Sequence, residues 1–98
     1  MIVVTGSVTA REDSFSEISK LSLEHVRRSR QEPGCISHAV HVDCENPLRL
    51  VFIEQWADRA ALRTHFAVFA SRDFVRALQP LAAGTTIEIY DATRLEKL

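Results

Sequence analysis

The chain has 98 residues, of which 46% are apolar and 26% charged, with a formal net charge of −1. That length suits one domain over residues 1–98, and the mixed charges supply no basic stripe with interleaved aromatics, which argues against a nucleic-acid partner. No apolar run approaches the ~20 residues of a membrane span, and Met1-Ile2-Val3-Val4 shows no basic region ahead of an apolar one, so neither a membrane partner nor a secretory leader is expected.

Residues 2–9, IVVTGSVT, are β-branched and apolar and predict a strand. Arg11-Glu12-Asp13 breaks that pattern, and Ser14 with Glu17 three residues on reads as a capping box. A helix then extends to about Gln31, with Phe15, Ile18, Leu21 and Val26 as its expected buried positions. Arg27, Arg28 and Arg30 suit its C-terminal end, where cations offset the helix dipole. Pro33-Gly34 stops it, because proline disfavours helix at Glu32 and glycine accepts positive φ.

Cys35–Asp43 and Leu48–Trp56 predict two strands, and the turn-forming Cys44-Glu45-Asn46-Pro47 between them predicts a hairpin. Cys35 and Cys44, nine residues apart at either end of one strand, would sit about 30 Å from each other, too far for a disulfide. A reducing, cytoplasmic setting is the expectation that follows. Asp58 predicts the N-cap of a short helix through Phe66, and Ser71 that of another from Arg72 to Gln79. Pro80 and Gly84 end this segment, and Thr85–Thr93 predicts the last strand.

The order β-α-β-β-α-β is the split βαβ pattern of an α+β, ferredoxin-like fold, with both helices on one face of a four-stranded antiparallel sheet. In the third strand Leu48, Leu50 and Phe52 point one way and Val51 and Ile53 the other, so both faces carry apolar side chains. A sheet face open to water should alternate with polar residues. No further element remains to cover the second face, so a homodimer packed sheet to sheet is expected.

The residues with chemistry gather around the third strand. Glu54 and Trp56, two apart, share a strand face. Glu54 is a candidate general base whose pKa burial would raise, or alternatively a buried carboxylate paired at the dimer interface. Trp56 is a candidate wall for stacking an aromatic ligand, or a core tryptophan. His65 lies three residues after Leu62, on the buried side of its helix, as a general base or oxyanion donor, or a satisfied core histidine. His38 is a candidate substrate contact if the hairpin register, opposite Phe52 or Ile53, turns it to the helix side. Phe52 and Phe66 are candidate apolar lining. His25 and His41 are read as structural.

His38 and His41, three apart, point to opposite faces and form no metal pair, and no other ligand cluster has suitable spacing, so no metal is expected. No P-loop, nucleophile elbow or GxGxxG is present, and three glycines scarcely form a phosphate cradle. No cofactor is therefore expected, and any reaction would run on the substrate's own reactivity.

The stretch EPGCISHAVHVDCENPLRLVFIEQWADRAALRTHF, residues 32–66, resembles the antibiotic biosynthesis monooxygenase (ABM) family, and the likeness continues through SRDFVRAL. Its most specific elements are Pro33-Gly34-Cys35, the Glu54-x-Trp56 pair, Leu62 and His65. The resemblance implies a dimeric α/β barrel of ferredoxin-like subunits. For some members it also implies cofactor-independent oxygenation of a hydroxyaromatic or quinol by O₂. On this likeness Trp56 and His65 would wall and polarise a small aromatic substrate, and Glu54 would orient it or accept a proton. Haem-degrading relatives carry an asparagine on the first strand and a histidine on the later helix, neither of which stands at 2–9 or 71–79. Two alternatives remain open: an isomerase of a small phosphorylated carbonyl signal, and a non-enzymatic dimeric module binding an apolar ligand.

Overall fold

A computed structural model describes all of residues 1–98, and its order is β1 (Ile2–Ala10), α1 (Phe15–Ser29), β2 (Cys35–Val42), β3 (Arg49–Trp56), α2 (Arg59–Ala67), α3 (Phe69–Leu78) and β4 (Ala82–Asp91). The strands form one antiparallel sheet in the order β2-β3-β1-β4. This is the ferredoxin-like arrangement, with the second helical segment divided into α2 and α3. The division falls at Val68, whose ψ of 131° leaves helical space.

Strand alternation decides which side chains the helices cover. On β1 the even positions Ile2, Val4, Val8 and Ala10 are buried, and on β3 so are Leu50, Phe52, Glu54 and Trp56. Register aligns these into rows across the covered face: Val42–Leu50–Val8–Thr85, Val40–Phe52–Gly6–Ile87 and His38–Glu54–Val4–Ile89. Two apolar clusters result. The larger joins Val8, Ala10, Ile18, Val26, Leu50, Phe52 and Leu78; the smaller joins Ile2, Val4, Trp56 and Leu62. On the opposite face Val51 is half-buried and Ile53 is 45% exposed, so that face is bare in the single chain.

Several local expectations change. Ser14 is not half of a capping box: its backbone is already helical and its side chain makes no cap bond. Its hydroxyl instead accepts from Arg11 N–H and donates to the Leu81 carbonyl at 2.8 Å, tying the start of α1 to the end of α3. Ser71 lies inside α3 rather than capping it, because the helix begins at Phe69. Gly84 lies within β4. Asp58 does cap α2, accepting from Ala61 N–H at 2.8 Å. Gly34 has φ of 82°, as a turn glycine should, and a Cβ there would stand 2.5 Å from that of Ala61, so only glycine fits.

Candidate active site

The hairpin register places His38 opposite Glu54, not opposite Phe52 or Ile53. His41 pairs with Val51 on the bare face, so the two histidines do point apart. Over the His38–Glu54 row, α1 lowers His25 and α2 lowers His65, both buried. His25 belongs to the buried stripe Ile18, Ser22, His25, Val26, Ser29, so it is not a surface residue of its helix.

Hydrogen bonds fix where the protons sit. Arg28 Nη2 stands 2.7 Å from His25 Nδ1. A guanidinium can only donate, so Nδ1 accepts and Nε2 of the neutral ring carries the hydrogen. Burial, then the neighbouring His38, His65 and Arg28, push the His25 pKa down to about 3, so this ring stays uncharged at neutral pH. Phe74 stacks flat on it, with centroids 4.1 Å apart and planes at 9°. His65 Nδ1 lies 2.9 Å from Glu32 Oε1; with the carboxylate accepting, Nδ1 carries the proton and Nε2 offers its lone pair. That Nε2 is 4.0 Å from Glu54 Oε1.

Glu54 Oε1 accepts the Trp56 indole N–H at 2.9 Å and lies 3.2 Å from His38 Nε2. The His38 approach lacks the angle of a directed hydrogen bond, and its Nδ1 has no partner. Burial pushes the Glu54 carboxyl up, but His38, the indole N–H and His65 together outweigh it and hold the pKa below 4.5. The raised pKa expected from burial alone is thus corrected. A buried carboxylate this well partnered remains charged.

His25, Glu54 and His65 border a cavity of about 710 Å³, within the size range of small-molecule sites. Gly6, His25, Phe52, Glu54, His65 and Phe74 line its interior. The floor exists because Gly6 has no side chain between Phe52 and Ile87; a Cβ there would lie 3.2 Å from the Thr86 carbonyl oxygen. Phe66, expected as apolar lining, is 40% exposed and borders the cavity with the likewise exposed Val75 and Ile87.

Trp56 does not wall this cavity. It is fully buried in the smaller cluster, where it supports His65 from behind with centroids 4.5 Å apart. His38 is likewise sealed behind Glu54. Phe52, Phe66, Glu54 and His65 do face the cavity. His25 and Glu32 were missed from sequence. His25 is in helical phase with Ile18 and Val26, which was a usable signal, whereas nothing local marks Glu32.

Nitrogens of His25, His38 and His65 lie within 4.8 Å of one another, a spacing that resembles a metal centre. The donor set does not fit one. Arg28 occupies His25 Nδ1, which leaves Nε2 protonated and places a guanidinium charge against the ring.

The antibiotic biosynthesis monooxygenase model matches residues 1–77. The chain belongs to that family. An uncharacterized protein of Synechocystis sp. is 35% identical over 98 residues, covering 99% of this chain and 67% of that protein. A crystal structure named antibiotic biosynthesis monooxygenase is 30% identical, with a TM-score of 0.87 over 96% of this chain and 100% of that one. A Deinococcus radiodurans structure superposes with a TM-score of 0.95 at 24% identity, over 100% of this chain and 98% of that one, a likeness of fold. In this ABM chain, the Glu54-x-Trp56 pair is one joined unit, a carboxylate and the indole that donates to it.

Proposed function

We propose that this ABM-family chain is a cofactor-independent monooxygenase that oxidises a hydroxyaromatic or quinol with O₂ in the helix-covered cavity. The observation that carries this reading is His65, held by Glu32 with its free Nε2 beside Glu54, in a cavity walled by Phe52 and Phe74. His65 takes the substrate's hydroxyl proton, and Glu32 and Glu54 stabilise the imidazolium that forms. His25, uncharged and with Nε2–H, donates to the phenolate oxygen.

The electron-rich phenolate then passes one electron to O₂. Aryloxyl radical and superoxide combine at a ring carbon as a hydroperoxide, which loses water to leave a quinone. Ring C–H and O–H supply both hydrogens of that water, so no outside reductant enters. A quinol with a free ring carbon follows the same course, its hydroperoxide losing water to leave a hydroxyquinone. The aromatic walls align the ring and keep water from the intermediates.

The reading includes a homodimer through the bare sheet face, supported by the exposure of Ile53 there. Ile53→Asp should convert a dimer to monomers by light scattering; a wild-type chain that is already monomeric would remove this part. An isomerase of a phosphorylated carbonyl compound would use the same His65 and Glu54, and Arg72 and Arg76 beside the cavity favour it. The aromatic lining favours the oxygenase. A purely binding module would have no use for the Glu32 carboxylate 2.9 Å from His65.

The test is O₂ consumption by purified protein with a panel of polyhydroxylated aromatics and quinols. Uptake above autoxidation, falling by about 10²–10⁴-fold in His65→Ala, is expected for loss of a general base. Uptake that His65→Ala leaves unchanged would contradict the assignment.

A further inference from the structure

The cavity has a charge polarity that the oxidation chemistry does not use. Its single acid, Glu54, lies at the inner end with His25 and His65, while its only cations, Arg72 and Arg76, both come from α3. They are four apart in that helix and so on one side of it, with Ser71 and Gln79 also lining the cavity. Neither arginine has a carboxylate within 4.0 Å, a state they share with several surface arginines of the chain. Behind Ser71, Arg28 reaches the serine hydroxyl at 3.4 Å, has no acid partner, and keeps its Nε buried without a hydrogen bond. Three cations thus stand on the α3 side of the cavity, none with a carboxylate within 4.0 Å. Between the two ends the lining is apolar: Phe52, Phe74, Val75 and Leu78.

We infer that the α3 side of the cavity is an anion subsite, and that the ligand is an aromatic compound bearing an oxyanion group, a carboxylate or a phosphate, remote from its reacting hydroxyl. The inference rests on the cavity being the substrate site proposed above. A guanidinium pairs with carboxylate or phosphate oxygens in a fork geometry, and two arginines one helical turn apart can share one such group. The anion would also set the ring's direction, placing its far end against His65 and Glu54. Arg72 and Arg76, both exposed at the rim of the cavity, are then specificity-determining residues.

Binding alone tests this, with inert probes that need no turnover. 2-Naphthoate and its neutral isostere 2-naphthamide are titrated calorimetrically into the wild-type protein, and 2-naphthyl phosphate into a parallel sample. At least one anion should bind about tenfold or more tighter than the amide. That advantage should vanish in Arg72→Gln/Arg76→Gln while amide binding persists, which also shows that the variant is folded. Equal binding of amide and anions, an anion advantage that survives the double substitution, or no binding of any probe would overturn the subsite. An arginine-dependent advantage without O₂ uptake would leave the subsite standing and remove the oxygenase reading. Uptake with neutral and anionic hydroxyaromatics at equal KM would do the reverse.

Discussion

Two neighbouring rows of the same sheet face have opposite characters. Val40–Phe52–Gly6–Ile87 is apolar and open over its glycine, whereas His38–Glu54–Val4–Ile89, two residues along each strand, holds a buried acid and a histidine. The backbone ladder is the same in both. The difference lies in what the helices lower onto them: Phe74 over the first, His25 and His65 over the second. One row supplies room and the other supplies polar chemistry, and neither suffices alone. The polar row is tolerated because its charge is shared. Glu54 has an indole donor at 2.9 Å with the His38 ring beside it, and His25 avoids the cost of burying charge by staying neutral.

The largest effect should come from removing the support beneath the polar row. Trp56→Ala would empty a fully buried site and cost about 3–5 kcal/mol, read as a lower urea midpoint. Trp56→Phe should keep most of the packing yet leave Glu54 without its donor, at a cost of about 1–3 kcal/mol.

Acid should separate the rows next. Between pH 6.5 and about 3 the unfolded chain protonates His25 while the folded chain, with His38, His65 and Arg28 around that ring, does not. The unfolded state then binds more protons, so stability falls as pH falls through that window, by up to about 1.4 kcal/mol per pH unit. His25→Asn should flatten this slope. Glu54 acts lower: its folded pKa is depressed, so its contribution is present above 4.5 and is lost as pH drops through the folded value. Glu54→Gln should remove that last part of the acid limb. Denaturation at stepped pH reads both, and a slope unchanged in His25→Asn would contradict the first.

Filling the apolar row is the gentler test. Gly6→Val would crowd the Thr86 carbonyl and occupy the cavity floor, costing about 1–3 kcal/mol of stability and raising KM for any aromatic ligand. Asp58→Ala, outside both rows, should cost only about 1 kcal/mol for the lost cap of α2 and leave ligand affinity unchanged.

Most of the fold was legible from local signals. The β-branched and apolar runs IVVTGSVT and LRLVFIEQW, the Pro33-Gly34 stop and the Asp58 cap each act over a few residues, and each predicted element exists. The failures are tertiary. Ser14 turned to Leu81 because the end of α3 passes beside it, a contact 67 residues away that no capping pattern reports. The site divided in the same way. Glu54 and His65 were readable from strand and helix phase, whereas the position of Trp56 depended on α2 folding over it. Glu32 follows the last turn of α1 and acquires meaning only when α2 brings His65 to it across 33 residues. The sign of the Glu54 shift likewise required its three partners, since burial alone pushes the other way.

The chemistry of the polar row depends most on its fixed proton positions. Long-range proton–nitrogen NMR of ¹⁵N-histidine-labelled protein between pH 5 and 8 reads the tautomer and charge of each ring. His25 should be neutral with its hydrogen on Nε2 throughout, and the neutral form of His65 should carry its hydrogen on Nδ1. A His25 that titrates near 6.5, or carries its hydrogen on Nδ1 against Arg28, would contradict these positions.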